Sequence, residues 1–334
     1  MSGRTRALLA RDYGPPESLT LEQVETPEPG RGQVRVSVRA AGVSFVDVLI
    51  ASGRYQLKPP LPFTPGSEFA GEVQAVGEGV VDLQPGDRVC GGLLHGAFAE
   101  QVVAPARALT RIPDAMPFPE AAVFRVSHAT ALYALVQRGR LASGETVLVL
   151  GAAGAVGLAA VQVAKALGAT VIASASSDVR RNLALASGAD HAIDSSAADW
   201  RDQVKGLTDG RGVDVVVDPV GRAATELAFR ALAWGGRHLV IGFAGGEIAR
   251  LPTNLPLLKG ADLVGVDIRQ FGEREPDAAA ANLRRLFELY AQRHLKPSIA
   301  KRLPLEDAVS AMRMVEANAV AGRVVLEMGG PASP

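Results

Sequence analysis

The chain reads as an α/β protein: a doubly wound parallel sheet in its second half, preceded by a compact β-rich, barrel-like domain. Two observations predict this. From residue 146 onward, short apolar runs alternate with helical ones, as strand–helix–strand units do. Before about residue 125, Gly and Pro punctuate short stretches instead, at Gly14-Pro-Pro16, Pro27-Glu-Pro-Gly30, Pro59-Pro60, Pro65-Gly66 and Pro85-Gly86. Such spacing suits short strands joined by turns, and Val34–Val38 (VRVSV) alternates as a half-exposed strand should.

The most informative stretch is Thr146–Gly157, TVLVLGAAGAVG. Val147–Leu150 is a continuous β-branched, apolar run, as expected of a strand covered on both faces. Glycines follow at Gly151, Gly154 and Gly157. From Val156 the pattern turns helical: Val156, Ala160, Val163 and Leu167 share a face, and Gly168 stands where a helix would stop. Strand, glycine turn and helix together form a dinucleotide cradle. The first glycine permits the tight turn, the second admits a pyrophosphate close to the backbone, and the third lets helix and strand pack. Gly151, Ala153, Gly154, Ala155, Val156 and Gly157 are the candidate phosphate-turn residues. The spacing is G-x-x-G-x-x-G rather than G-x-G-x-x-G, and an ordinary tight turn would use glycines too. Thr170–Ala173 (TVIA) reads as the next strand and closes the unit at about 30 residues.

The end of that strand bears on the cofactor. An NAD site usually has an Asp or Glu about 20 residues after the glycines, for the ribose 2′-OH. Here the stretch Ala173-Ser-Ala-Ser-Ser177 has no acid, and Arg180 and Arg181 follow Asp178. Small hydroxyls at Ser174, Ser176 and Ser177 with the Arg180 guanidinium suit a 2′-phosphate, so NADPH is expected over NADH. The solvated face of the next helix is the alternative place for the two arginines.

The bulk properties set outer limits. A chain of 334 residues, 48% hydrophobic and 21% charged, fits a two-domain soluble enzyme. Lys plus Arg and Asp plus Glu are both 35, which argues against a nucleic-acid surface. The single cysteine, Cys90, excludes an intrachain disulfide and a Cys-rich metal site. With no signal-like core and no run of membrane length, a cytoplasmic location and no membrane partner are expected.

Three local signatures carry a resemblance: Ala40-Ala-Gly-Val-Ser-Phe-Val-Asp47; Gly53-Arg-Tyr55; and Pro65-Gly-Ser-Glu-Phe-Ala-Gly-Glu-Val73, followed by Val76-Gly77 and Gly86-Asp-Arg-Val89. With the turn Gly-Ala-Ala-Gly-Ala-Val-Gly157, the chain resembles, over nearly its whole length, the medium-chain dehydrogenase/reductase superfamily. Within it the likeness is to the zinc-independent quinone oxidoreductase (ζ-crystallin-like) family. The resemblance implies a GroES-like substrate domain over residues 1–124 and 268–334, and a Rossmann dinucleotide domain over 125–267. It also implies a homodimer.

Where the superfamily's alcohol dehydrogenases place a zinc-binding Cys and His, this chain has Ser44 and Ser67, and the four-cysteine lobe is absent. Hydroxyls are poor zinc ligands, so no metal is expected. Without a Lewis acid, reduction of an activated acceptor is favoured over alcohol oxidation. The resemblance places Tyr55 near the nicotinamide, where its phenol could donate to an acceptor carbonyl; a packing role is the alternative. Ser44 stands where the family commonly has Asn, as a shorter substrate and cofactor contact. Thr130, in Ser127-His-Ala-Thr-Ala-Leu-Tyr133, corresponds to a Thr near the nicotinamide amide; His128 and Tyr133 read as ordinary helix residues. Asp47 and Glu68 read as turn anchors or charge partners.

Further strands are expected at Val213–Val217, His238–Ile241 and Leu263–Val266, with a helix at Thr225–Ala233 between them. Ligands bind beyond the carboxyl ends of such strands. The resemblance puts backbone around Val220, Gly242 and Phe243 against the adenine and nicotinamide, though Phe243 would also suit a core. Leu251–Lys259 reads as a Pro-containing loop and Asp277–Leu295 as an amphipathic helix; Lys296–Leu303 and Gly322–Glu327 read as returning strands. Arg323 stands where relatives often have a Lys that could reach a cofactor phosphate, and Asn318 where some have an Arg.

The implied function is NADPH-dependent hydride transfer to a quinone, without zinc. A 2-alkenal, enone or enoyl-thioester reductase is the nearest alternative, and a non-catalytic, crystallin-like NADPH-binding protein the alternative of another class.

Overall fold

The computed structural model describes residues 3–329 and divides into two compact units. One takes the chain up to Val126 and again from Ile299; the other runs from Ser127 to Ser298. The expected limits at residues 1 and 334 lie outside the described residues.

The first unit opens with an antiparallel ribbon, β1 (Arg4–Leu9) and β2 (Thr20–Glu25). Its spine is β3 (Gln33–Val43), in which Val34, Val36 and Val38 are buried while the residues between them face outward. After β3 comes the short helix α1 (Phe45–Ala51), then β4 (Glu68–Val76), β5 (Arg88–Gly92), β6 (Gln101–Pro105) and β7 (Leu109–Arg111). Strands β4 and β6 both pair antiparallel with β3; β5 adds to β4 and β7 to β5. Helix α2 (Phe118–Leu132) carries the chain across the boundary between units.

The second unit alternates β8 (Thr146–Leu150), α3 (Ala155–Ala166), β9 (Thr170–Ala175), α4 (Asp178–Ala186), β10 (His191–Asp194), α5 (Trp200–Gly206), β11 (Val213–Asp218), α6 (Ala223–Arg230), β12 (Leu232–Val240), α7 (Asn254–Lys259) and β13 (Asp262–Gly265). All six strands are parallel, in the order β10-β9-β8-β11-β12-β13. Every residue of β8 is buried, which explains its unbroken apolar sequence. The order reverses between β8 and β11, so the crevice at their carboxyl ends is the place for a ligand. No helix among the described residues is long and apolar enough to cross a membrane.

Helices α8 (Ile268–Arg274) and α9 (Pro276–Ala291) follow, and the chain returns to the first unit with β14 (Ile299–Pro304), α10 (Ala308–Glu316) and β15 (Arg323–Glu327). Strand β15 pairs antiparallel with β3 and parallel with β14.

Three local expectations differ from what is seen. Leu251–Lys259 is not all loop, because α7 forms at its end. Its Pro256 sits in the first turn, where no backbone donor is needed, and Gly260 closes the helix in the left-handed region at φ +53°. The helix expected over Thr225–Ala233 stops at Arg230, because Leu232 pairs with Val213 in the sheet. Residues 268–298 belong with the second unit. Tyr133 stacks on Phe271 at 4.1 Å, Gln137 bonds Asn282 at 2.9 Å, and the Gln162 amide takes both the N–H and the carbonyl of Lys296.

Candidate functional site

The glycine turn stands at the carboxyl end of β8. Gly151 has φ +57°, a conformation that L side chains rarely adopt. A Cβ on Gly157 would come within 2.2 Å of the Gly151 carbonyl oxygen, so only glycine lets α3 start this close to the strand. Gly154 is the N-cap of α3 and offers no side chain to it, which leaves the first N–H groups and the positive helix end for an anion. Ala153 is buried beside the turn, while Gly154 is exposed and Ala155 and Val156 half-exposed.

The tails of the neighbouring strands gather around this turn. The N–H of Ala152 donates to the carbonyl of Ser174 at 3.1 Å, tying the turn to the end of β9. The Ser174 side chain is buried at the end of β9. Ser176 and Ser177 are exposed beyond it, and Ser177 is the N-cap of α4 with no side-chain cap bond of its own. Arg180 is half-buried on α4. Arg181 is committed within the protein: it donates to the Asp178 carboxylate at 2.6 Å and to the Ala175 carbonyl at 3.1 Å, and pairs with Asp194 at 3.1 Å.

On the other side, Val220 at the tail of β11 packs against the turn: a Cβ on Gly151 would lie 2.9 Å from the Val220 side chain. Gly221, at φ +74°, leaves no room for a Cβ beneath Phe243, whose ring is 2.8 Å away. Phe243 is 39% exposed, so it is not a core residue. The N–H groups of Ile241 and Gly242 donate to the Asp218 carbonyl at 2.9 and 3.4 Å. The structure thus brings Gly151, Val220, Gly242 and Phe243 to one crest of the second unit.

In the first unit a buried polar cluster surrounds the start of α1. Ser44 caps that helix in a reciprocal box: its hydroxyl donates to Asp47 Oδ2 at 2.8 Å, its N–H donates to the same oxygen at 2.7 Å, and the Asp47 N–H donates back to Ser44 Oγ at 3.4 Å. The Ser44 proton is therefore directed at Asp47 and not outward, against the expectation of a substrate contact. Burial pushes the Asp47 carboxyl up to about 6, although Ser67 and Ser44 both pull it down. Burial likewise raises the lone thiol, Cys90, to about 11.

Arg323 also departs from expectation. It is buried on β15 and donates to Glu68 Oε1 at 3.1 Å. A guanidinium held this way is not presented to a cofactor phosphate; β15 pairs with β3 and carries the side chain inward beside Gly42. Tyr55 is half-buried and packs on the core of this unit. Thr130 is buried on α2, in the second unit, as are Ser127 and His128.

Comparison with known proteins agrees with this layout. A family described as "Alcohol dehydrogenase GroES-like domain" matches residues 30–114, and one described as "Zinc-binding dehydrogenase" matches residues 155–284. Quinone oxidoreductase-like protein 2 of Mus musculus is 39% identical over 324 residues, 97% of this chain and 92% of its own. This chain is a medium-chain dehydrogenase/reductase of the quinone oxidoreductase-like group.

Among solved structures of this family, mycobacterial Rv1454c, complexed with NADPH, superposes with a TM-score of 0.90 at 32% identity and covers 97% of this chain and 99% of its own. A quinone oxidoreductase of Pseudomonas syringae pv. tomato DC3000 has the same TM-score at 31% identity, with the same coverage. Like its relatives, this medium-chain reductase is an oxidoreductase with a parallel-sheet Rossmann-like domain and a separate, mainly antiparallel GroES-like domain.

The zinc named in one family description does not fit the side chains present. Among the described residues no three His, Cys, Asp or Glu side chains stand close enough together to hold a metal ion. The hydroxyl at position 44 is occupied by Asp47, and Glu68 by Arg323. The crest of the second unit does fit a dinucleotide, since a Cβ at Gly157 would close the cradle. Sequence reasoning missed one feature of this medium-chain reductase, the buried Asp218–His238 pair beneath that crest. Asp218 follows a β-branched run, and nothing in the sequence alone links it to a histidine twenty residues on.

Proposed function

We propose that this chain binds NADPH and reduces a quinone by hydride transfer, with no metal in the reaction. NADPH supplies the hydride; the protein binds it, orients it and polarises the acceptor. The observation that carries the reading is the cradle on the second unit: a glycine turn that only Gly157 permits, an uncapped α3, and exposed Ser176 and Ser177 where an NAD site would place an acid. In this reading Gly151, Ala153, Gly154, Ala155, Val156 and Gly157 hold the pyrophosphate. Ser176, Ser177 and Arg180 read the 2′-phosphate, and Val220, Gly242 and Phe243 form the wall beside them. The NADPH complex of mycobacterial Rv1454c supports the cofactor, and the quinone oxidoreductase names of the relatives support the acceptor.

Tyr55 is assigned as the donor to the acceptor oxygen as that oxygen gains negative charge, and Thr130 to the nicotinamide end of the cofactor. Ser44 is left as the cap of α1 and Arg323 as the partner of Glu68, on the geometry above. A quinol anion takes its proton from water, so no strong general acid is required. The edge strand β13 and the exposed apolar side chains Trp234, Leu257, Leu258 and Leu263 near it suit a homodimer.

The test is steady-state oxidation of NADPH and NADH by the purified protein with benzoquinones, 2-alkenals and a crotonyl thioester. Turnover of NADPH with quinones and little with NADH supports the reading. Preference for the enal or thioester moves the substrate class. Tight NADPH binding with no acceptor reduced overturns catalysis in favour of a binding role. Metal analysis finding one zinc per chain removes the metal-free mechanism.

A further inference from the structure

Asp218 ends β11 directly beneath the crest, 1% exposed. Its carboxylate accepts four hydrogen bonds. Oδ1 takes the N–H groups of Val220 and Gly221, each at 2.9 Å. Oδ2 takes the Thr225 hydroxyl at 2.6 Å and faces His238 Nε2 at 3.0 Å. Burial alone would raise the Asp218 carboxyl; His238, Thr225 and the backbone donors outweigh it and hold the group below the ordinary aspartate range. An ionised carboxylate only accepts, so His238 donates through Nε2–H.

The imidazole is fully enclosed. It lies on β12, opposite Val216 in the ladder, with the Phe229 ring 5.9 Å away, and its Nδ1 meets no hydrogen-bond partner among the described residues.

The network has a direction. Through Val220 and Gly221, Asp218 sets the turn that meets Gly151 on one side and Phe243 on the other. The next residue, Arg222, is held at φ +60° and ψ −158°, a backbone region seldom used by a residue with a side chain. A strained turn keeps its shape only while its anchors persist, and here the anchor is the Asp218 carboxylate and its buried donors.

We propose that His238 is a positioning residue for the dinucleotide: it orients Asp218, which in turn holds Val220 and Gly221 at the cofactor wall. The proposal rests on the NADPH reading above. Loss of the donor would loosen a wall that holds the cofactor to the same extent before and during hydride transfer. That changes affinity and KM for NADPH with little effect on kcat.

The experiment compares His238→Leu, His238→Gln and Thr225→Val with the parent, by fluorescence titration with NADPH and by kinetics with benzoquinone. The Gln amide reaches about as far as Nε2 and keeps an N–H donor for Asp218; Leu keeps volume and removes it. We expect His238→Leu to raise the NADPH Kd and KM at least about tenfold with kcat within about threefold, and His238→Gln to recover most of the affinity. Thr225→Val, which removes a donor from the same oxygen, should show the same split at about threefold, and it serves if His238→Leu does not fold. Equal NADPH affinity in parent and His238→Leu, or in parent and Thr225→Val where the former does not fold, overturns the proposal and leaves the pair as a core contact. Equal damage by Leu and Gln also overturns it. A parent protein that binds no NADPH removes the functional reading itself, and the parent titration separates that result from the others.

Discussion

Arg323 Nη2 donates to Glu68 Oε1 at 3.1 Å, and the two side chains are 6% and 4% exposed. The pair joins β15, near the end of the chain, to β4 in its first third. Removing one partner of a buried pair strands the other charge, which typically costs about 3–5 kcal/mol. Arg323→Ala should therefore lose about that much stability by urea titration, while any protein that remains folded keeps its NADPH affinity. A variant of unchanged stability and weakened NADPH binding would restore Arg323 to the phosphate.

Asp47 makes stability depend on pH in a direction opposite to that of most carboxylates. Its folded pKa, pushed up to about 6 by burial, lies above the ordinary value of 3.8. The folded chain thus binds this proton more tightly than the unfolded chain does. The contribution is fully present below about pH 4 and is lost as pH rises through about 6. A shift of this size corresponds to roughly 3 kcal/mol. Asp47→Asn, which keeps an acceptor for the Ser44 donors, should flatten the fall in stability between about pH 4 and 6 in paired urea titrations. An identical slope in parent and variant would show that Asp47 ionises without cost.

The turn glycines are predicted to differ in severity. A Cβ at position 157 meets the Gly151 carbonyl at 2.2 Å, with backbone that cannot step aside; at position 154 the nearest atom is 3.3 Å away. Gly157→Ala should abolish NADPH binding or folding, whereas Gly154→Ala should fold and bind NADPH within about tenfold of the parent. The comparison needs a thermal melt and one fluorescence titration for each. Equal tolerance at the two positions would mean that α3 is not packed on the turn as described.

These outcomes also mark what was legible in the sequence. The cradle could be read because its demand is steric and local: a chain that turns from β8 into α3 in so few residues must carry glycine at fixed places. The strands of the second unit could be read because burial on both faces leaves unbroken apolar runs, as in Val147–Leu150. Partnerships across the chain were not written there. Nothing near Arg323 announces Glu68, more than two hundred residues earlier, and a family position that usually holds a Lys suggested a phosphate instead. At Ser44 the family parallel points to a ligand position; in the structure the side chain caps α1 with Asp47 three residues on, a capping-box spacing visible in the sequence but outweighed by that parallel. Asp218 and His238 lie on adjacent strands, and register alone brings them together.

The choice between the two nicotinamide cofactors can be tested at a single residue. Ser177 is exposed, lies just beyond β9 and is the N-cap of α4 without making a cap bond. Aspartate is a good N-cap, so Ser177→Asp should not destabilise α4. It would, however, place a negative charge where the 2′-phosphate of NADPH is proposed to sit, near an arginine, Arg181, whose guanidinium is already taken by Asp178 and Asp194. Repulsion then falls on NADPH alone, while the free 2′-OH of NADH gains an acceptor. Kinetics with one quinone and both cofactors should show the KM for NADPH rising at least about tenfold and that for NADH unchanged or lower, a shift of about 1.4 kcal/mol or more in discrimination. If both cofactors lose equally, the added charge disturbs the turn as a whole. If neither changes, the end of β9 does not read the 2′-position, and the preference for NADPH must be carried by other residues.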